Sequence, residues 1–204
     1  MNSIASPNRA DAGLARGRSN TYGFLAQCFL TEPQDSLVRT ARQALCLLAD
    51  MDEGSLSGAM RHIRQEYYDR FFVPASGRYV PPFESAVAGR TVDQGKTTFG
   101  SLMGPESHEV AAAYDAVGFD PWELALYAPL RSIRLPDHVG FELAFMAYQQ
   151  FLERHLSRWM SDYAALTAGC GSGFYAGVAS AAAAWVQADL DQFESGSWGK
   201  GELS

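Results

Sequence analysis

The chain has 204 residues, of which 47% are apolar, 12% aromatic and 19% charged. That is enough for one large core or two small ones, and it excludes a chain disordered over most of its length. Sixteen basic residues against twenty-three acidic ones leave a formal net charge of −7, the wrong sign for gripping phosphate backbones, so a nucleic-acid partner is excluded.

Arg9, Arg16 and Arg18 precede a short apolar stretch from Thr21 to Leu30, superficially the plan of a secretory signal. Gln27 inside the stretch, the lack of a small-x-small cleavage site and the Thr31-Glu32-Pro33 that follows favour a first core helix behind a disordered tail over 1–18. In that helix Tyr22, Leu25, Ala26 and Phe29 keep the 3.6-residue period. Leu37, Ala41, Ala44 and Leu48 predict a second helix, ended by Asp52-Glu53-Gly54. A third starts at a Ser55 cap, places Leu56, Met60, Ile63, Tyr67 and Phe71 on one face and stops at Pro74. No convincing period-two alternation occurs, so no strand is expected.

Residues 74–104 hold Pro74, Pro81 and Pro82 with five glycines, and read as a long loop or hinge. Pro105 suits the first turn of a helix over 106–117 that Gly118 stops. A connection punctuated by Pro121, Pro129 and Pro136 follows. The longest periodic segment, Asp137 to about Trp159, carries two apolar stripes, one through Val139, Leu143 and Met146, the other through Phe141, Phe145, Tyr148 and Leu152. A polar strip of His138, Glu142, Gln149 and Glu153 remains, which must face water, a partner or a groove. Helices over about 160–168 and 172–193 complete an all-α protein, with lobes over 19–73 and 105–193, the hinge between them and a mobile tail over 194–204.

No charged residue lies between Asp162 and Asp189, a span long enough to cross a bilayer. It is mostly Ala, Gly and Ser, which contribute little to insertion. The four-residue spacing of Gly173, Gly177 and Ala181 reads instead as close helix packing in water. No stable membrane insertion is expected.

Cys28, Cys46 and Cys170 are odd in number, far apart and without a CxxC pair, against a disulfide framework or structural zinc and in favour of a reducing, cytoplasmic compartment. Gly95-Lys96-Thr97 imitates the end of a phosphate-binding loop, but the glycine that should stand at position 90 is Arg90 and no strand is expected before it. His62 with Glu66, and His138 with Glu142, place an imidazole and a carboxylate one turn apart, half a metal site each, although solvated helix pairs explain them as well. No Gly-x-Ser-x-Gly occurs, and no metal or catalytic residue is assigned.

Acids and aromatics concentrate around the hinge: Glu66, Tyr67, Tyr68, Asp69, Phe71 and Phe72 before it, Phe83 and Glu84 within it, Asp137 and His138 after it, with Glu142 one turn on. They read either as a core stripe with a solvated edge or as a groove with an apolar floor and an acidic rim. Such a groove suits a peptide basic at one end and apolar along the rest, the composition of a signal peptide.

Arg64-Gln-Glu-Tyr-Tyr-Asp-Arg-Phe-Phe-Val-Pro74, Tyr79-Val-Pro-Pro-Phe-Glu-Ser85 and Pro136-Asp-His-Val-Gly-Phe-Glu-Leu-Ala-Phe-Met146 resemble, in order and spacing, the TorD/DmsD/NarJ family of cytoplasmic redox-enzyme maturation chaperones. The likeness extends from about 19 to 193. It implies an all-helical fold, no enzymatic activity and no resident cofactor, with weak GTP or molybdenum-cofactor contact left open. The implied partner is a molybdenum-containing oxidoreductase subunit, bound in the cytoplasm through its twin-arginine leader or its apo form until cofactor insertion is complete. Asp137 and His138, with Tyr22, Phe72, Pro82 and Glu84, match family positions near the leader-binding surface. Glu66, Asp69, Phe83 and Glu142 complete the candidate peptide-binding set. A monomer is expected, with a lobe-swapped dimer open to it through the hinge. The alternative is a small helical enzyme, nucleotide-binding through Gly95-Lys96-Thr97 or metal-dependent through the two His/Glu pairs.

Overall fold

The computed structural model describes residues 9–49, 58–146 and 152–195. Helix α1 spans Arg9–Leu30 and α2 spans Asp35–Ala49, separated by the Pro33 turn. The first helix thus takes in 9–18, expected as a disordered tail. Its early turns have a partner: Arg18 donates from Nε to Asp189 at 2.8 Å and lies over the Tyr22 ring at 5.4 Å. Helix α3 spans Met60–Phe71 behind an extended Ala59, without a side-chain cap. The expected Ser55 cap, Leu56 and the Asp52-Glu53-Gly54 stop lie outside the described residues.

The segment expected as a hinge is largely folded. After a 3-10 turn at Pro74–Ser76 comes helix α4, Glu84–Ala88. Then strands β1, Thr91–Asp93, and β2, Lys96–Thr98, pair antiparallel with Thr91 opposite Thr98 and Asp93 opposite Lys96. Gln94 and Gly95 form the two-residue loop with φ of 48° and 79°, the left-handed pair that a tight hairpin requires. The hairpin corrects the expectation of no strands. It escaped because nearly every side chain on both strands is exposed, so no alternation was written. Residues Val80 to Val87 are buried, and Val80 N–H donates to Arg70 O at 3.1 Å while Gly100 N–H donates to Ala86 O at 2.9 Å. These bonds tie this part of the segment to α3 and within itself.

Helix α5, Pro105–Asp115, begins at its proline as expected. A 3-10 turn at Pro121–Glu123 and the short helix α6, Ala128–Ile133, occupy the proline-punctuated connection. Helix α7, Val139–Ala144, gives way to a turn at Phe145 and Met146, so the expected long helix is interrupted. Tyr148 and Gln149 lie outside the described residues. The chain resumes in a π-helical turn, Leu152–Leu156, that leads into α8, Ser157–Gly169, and α9, Phe174–Glu194.

The architecture is all-α apart from the small hairpin. Helix α9 lies along α8 and touches α2 and α3, while α1 packs on α7. Both apolar stripes of the 137–159 segment are buried where described: Val139, Leu143 and Met146, and Phe141, Phe145 and Leu152. One apolar cluster joins α1, α3, α5, α7, α8 and α9, so the two expected lobes share a core. Each large side chain it removes from water contributes roughly 1.5–3 kcal/mol. The α1–α7 contact is close because Gly140 lacks a side chain: a Cβ there would lie 2.5 Å from Leu30 Cγ.

Candidate functional site

The sequence order Pro82-Phe83-Glu84 and Asp137-His138 converges on one knot of the backbone. Val139 N–H donates to Pro82 O at 2.9 Å, Glu84 N–H donates to Asp137 O at 3.0 Å, and Phe83 and His138 form an antiparallel bridge. The Asp137 carboxylate ties two helix starts together. Its Oδ2 accepts Ser85 N–H at 3.0 Å and its Oδ1 accepts the Ser107 hydroxyl at 2.7 Å, in the first turns of α4 and α5. Ser107 N–H in turn donates to Ser85 Oγ at 3.1 Å. His138 Nδ1 accepts Gly140 N–H at 3.0 Å and caps α7. Carboxylates and unprotonated ring nitrogens are natural acceptors for the orphan amides at helix starts.

Beneath the knot, Glu84 Oε2 lies 2.8 Å from His155 Nδ1 on the π-helical turn. Trp159 donates from Nε1 to Glu142 Oε2 at 3.1 Å, while Glu142 Oε1 is buried with no hydrogen-bond partner among the described residues. Burial raises the Glu142 carboxyl well above its ordinary range, helped by the Glu84 and Asp137 charges. Burial also raises Glu84, partly offset by His155. His138 is driven down to about 3 by burial and stays neutral.

The remaining candidates sit elsewhere. Tyr22 donates its hydroxyl to Asp189 Oδ2 at 2.6 Å, tying α1 to α9. Glu66 accepts the Phe174 and Tyr175 amides at 3.0 and 3.2 Å, at the start of α9. Asp69 and Phe72 are half-buried on the outer side of α3, where Asp69 Oδ1 accepts Gln65 Nε2–H at 2.8 Å.

These positions correct the expected groove lining. Relative exposures of 0% at Asp137, 1% at His138, 0% at Glu142, 3% at Glu84 and 7% at Glu66 place the supposed acidic rim inside the protein. Tyr22, Pro82 and Phe83 are buried too. Backbone amides, hydroxyls, an indole N–H, the His155 ring and the Arg70 guanidinium compensate the acids there, a compensation that outweighs the pull of water. The solvated-pair alternative fails at the same residues. Exposed His62 accepts from Arg61 Nε at 3.2 Å rather than meeting Glu66, which points inward.

Several residues of these networks escaped the sequence reading. Arg70 is fully buried, donating from Nε to Glu66 at 2.8 Å and from Nη1 and Nη2 to Thr167 O and Gly171 O at 2.7 and 2.5 Å. A signal existed: a Glu-to-Arg pair one turn apart, each member directly preceding an aromatic of the apolar face, Tyr67 and Phe71. Ser85, Ser107, His155 and Trp159 had no such local signal, because their partners are far away in sequence.

Thr97 lines a cavity of about 500 Å³ between the hairpin and α8, at which Arg90 pairs with Asp162 at 2.7 Å. The Gly95 turn leads from β1 into β2 and not into a helix, so Gly95-Lys96-Thr97 lacks the helix N-terminus of a phosphate cradle. Among the described residues no group of three or more His, Cys, Asp and Glu could hold a metal, and no helix is long and apolar enough to cross a membrane.

A half-buried aromatic surface with carboxylates does exist, on the outer stripe of α3. Gln65, Tyr68, Asp69 and Phe72 recur there at helical spacing. Tyr127 packs on Phe72 at 5.2 Å and on Tyr68 at 6.0 Å, and the Tyr68 hydroxyl donates to Glu32 Oε1 at 2.6 Å. Glu32, Leu126 and Tyr127 line an adjoining cavity of about 350 Å³.

A family model described as "Nitrate reductase delta subunit" matches residues 34–165. A crystal structure from Archaeoglobus fulgidus, described as a redox enzyme maturation protein, shares the fold at a TM-score of 0.50 and 16% identity, covering 95% of this chain and 99% of its own. No curated protein matches the sequence.

Proposed function

Since the chain belongs to the nitrate reductase delta subunit family, the group of the TorD/DmsD/NarJ resemblance, we propose that it is a cytoplasmic chaperone for one molybdenum-containing oxidoreductase subunit. It binds the twin-arginine leader or the apo subunit, assists cofactor insertion and delays export until assembly is complete. It carries out no bond-making chemistry of its own. The family match over 34–165 carries the reading.

The leader is assigned to the outer stripe of α3. Tyr68, Phe72 and Tyr127 supply an apolar floor, and the Glu32 and Asp69 carboxylates supply charge for the two arginines. The buried knot around Asp137 and His138 keeps the supporting helices in register. A few charge-assisted bonds and a short apolar segment give an affinity in the micromolar range, about 8 kcal/mol, weak enough for exchange.

Titration of a twin-arginine leader peptide tests the reading. Saturable binding that is lost when both arginines become alanine, and weakened by Glu32→Gln and Phe72→Ala, supports it. GTP turnover without peptide affinity overturns it in favour of the enzymatic alternative.

A further inference from the structure

Helices α2 and α3 both pack on α9, and two arginines bridge the seam between them. Arg42 donates from Nη2 to Gly58 O at 2.8 Å, and Arg64 donates from Nε to Pro33 O at 3.3 Å. The first bond joins the body of α2 to the entry of α3, and the second joins the body of α3 to the entry of α2, so the two helices run antiparallel along the seam. Arg39 stands one turn before Arg42, and Arg61 one turn before Arg64, which sets four guanidinium groups along one border. Arg39, Arg61 and Arg64 are exposed and Arg42 is half-buried.

Arg39, Arg61 and Arg64 form no ion pair with a carboxylate among the described residues. The partner of Arg64 is a neutral carbonyl, which fixes the side chain without cancelling its charge. Asp35 and Glu32 stand at the Pro33 end of the seam, where Glu32 accepts the Tyr68 hydroxyl. At the other end α3 starts without a side-chain cap and without an acid in its first turn, and carries Arg61 there instead. A cation at a helix start opposes the helix dipole. The guanidinium and the positive end of α3 therefore attract the same partner, an anion. In a chain of net charge −7 this strip is a local concentration of the minority sign.

We propose that the α2–α3 seam receives an acidic peptide segment of a partner protein, whose carboxylates pair with Arg39, Arg61 and Arg64. Charge complementarity selects the sign, and the residue type selects the group: a guanidinium fork meets a carboxylate with two parallel hydrogen bonds, which a compact ammonium does not. A membrane surface would require apolar side chains to insert beside the charges. None of the exposed large apolar residues of the described structure belongs to α2 or α3, and anionic lipid repels a chain of this net charge. The seam adjoins the outer stripe of α3 but carries the opposite charge, so it takes a different segment and does not depend on the leader reading.

The test is fluorescence anisotropy of the labelled peptide Gly-Asp-Glu-Leu-Glu-Asp-Glu-Gly titrated with the full chain, beside its counterpart with asparagine and glutamine for the acids. Saturable binding of the acidic peptide is expected, at least about tenfold tighter than its neutral counterpart, and at least about fivefold weaker when salt rises from about 0.05 M to about 0.3 M. Arg39→Gln with Arg61→Gln weakens it at least about tenfold, whereas Arg39→Lys with Arg61→Lys keeps the charge, loses the fork and weakens it about two- to fivefold. Lys96→Gln with Arg134→Gln removes the same charge from exposed positions elsewhere and leaves binding unchanged. Unfolding curves recorded for every variant guard against a folding artefact. Equal affinity for the two peptides, equal losses in the two charge-matched double variants, or tighter binding to vesicles of phosphatidylserine and phosphatidylcholine than to the peptide overturns the proposal. Twin-arginine leader affinity is not weakened by Arg39→Gln with Arg61→Gln, so the two proposals fail separately.

Discussion

Glu66 and Arg70, one turn apart on α3 and 2.8 Å from each other, serve the two helices that meet at the 170–173 turn. The carboxylate accepts amides at the start of α9, and the guanidinium donates to carbonyls at the end of α8. Each charge therefore sits at the helix end whose dipole it complements. Removing either partner strands the other in the interior. Glu66→Ala and Arg70→Ala are each expected to cost about 3–5 kcal/mol in urea unfolding, and the double variant less than the sum. Additive losses would show that the two charges act independently.

The same carboxylate explains a glycine. A Cβ built on Gly173 would collide with the Glu66 carboxylate, which is held by Arg70 and two amides and has nowhere to go. Gly173→Ala is expected to destabilise by about 1–3 kcal/mol. Gly23→Ala, in the body of α1 where a built Cβ meets nothing within 4 Å, provides the comparison in thermal unfolding, because alanine favours the helix.

Asp137→Ala acts on stability rather than at a binding surface. It leaves the Ser85 amide and the Ser107 hydroxyl without their acceptor in the interior. The expected loss is about 2–4 kcal/mol in denaturant unfolding, while leader affinity measured on the folded fraction stays unchanged. A drop in affinity at full stability would return Asp137 to the contact surface.

His138 makes the fold acid-sensitive. Its folded value, about 3, lies below the ordinary 6.5, so its contribution is present above 6.5 and is lost as pH falls toward 3. Between those limits each pH unit removes up to about 1.4 kcal/mol. His138→Asn keeps an acceptor for the Gly140 amide and cannot titrate. It is less stable at neutral pH for want of ring contacts with Phe83 and Phe141, but its stability falls less steeply from pH 6.5 to 4.

Glu142 works in the opposite direction. Its folded value is raised above 4.5 by burial, so its contribution is complete below about 4.5 and is lost as pH rises through the folded value. Glu142→Gln retains an oxygen for Trp159 and carries no charge to desolvate. Unfolding free energies measured from pH 5 to 8 are expected to decline less for the variant than for the parent.

Much of this protein was legible along the chain. The helical periods of Tyr22 to Phe29, Leu37 to Leu48 and Ile63 to Phe71, the start at Pro105 and the stops at Pro33 and Gly118 are local facts of backbone and apolar spacing. So is the family, carried by Tyr79 to Ser85 and Pro136 to Met146 in order. The hairpin was not legible, because three-residue solvated strands carry no burial pattern and the signal is only a Gln-Gly pair. Nor was the fate of the acids. Asp137, Glu142 and Glu66 look like solvent-facing charges one residue at a time, and whether a carboxylate ends in water or in the core depends on donors delivered by distant segments: Ser85 and Ser107 for the first, Trp159 for the second, Arg70 and the start of α9 for the third. Sequence alone determined which stretches coil and which relatives they resemble. Tertiary structure alone decided which charges are compensated inside and which aromatic faces stay open, because desolvation and hydrogen bonding are settled between residues far apart along the chain.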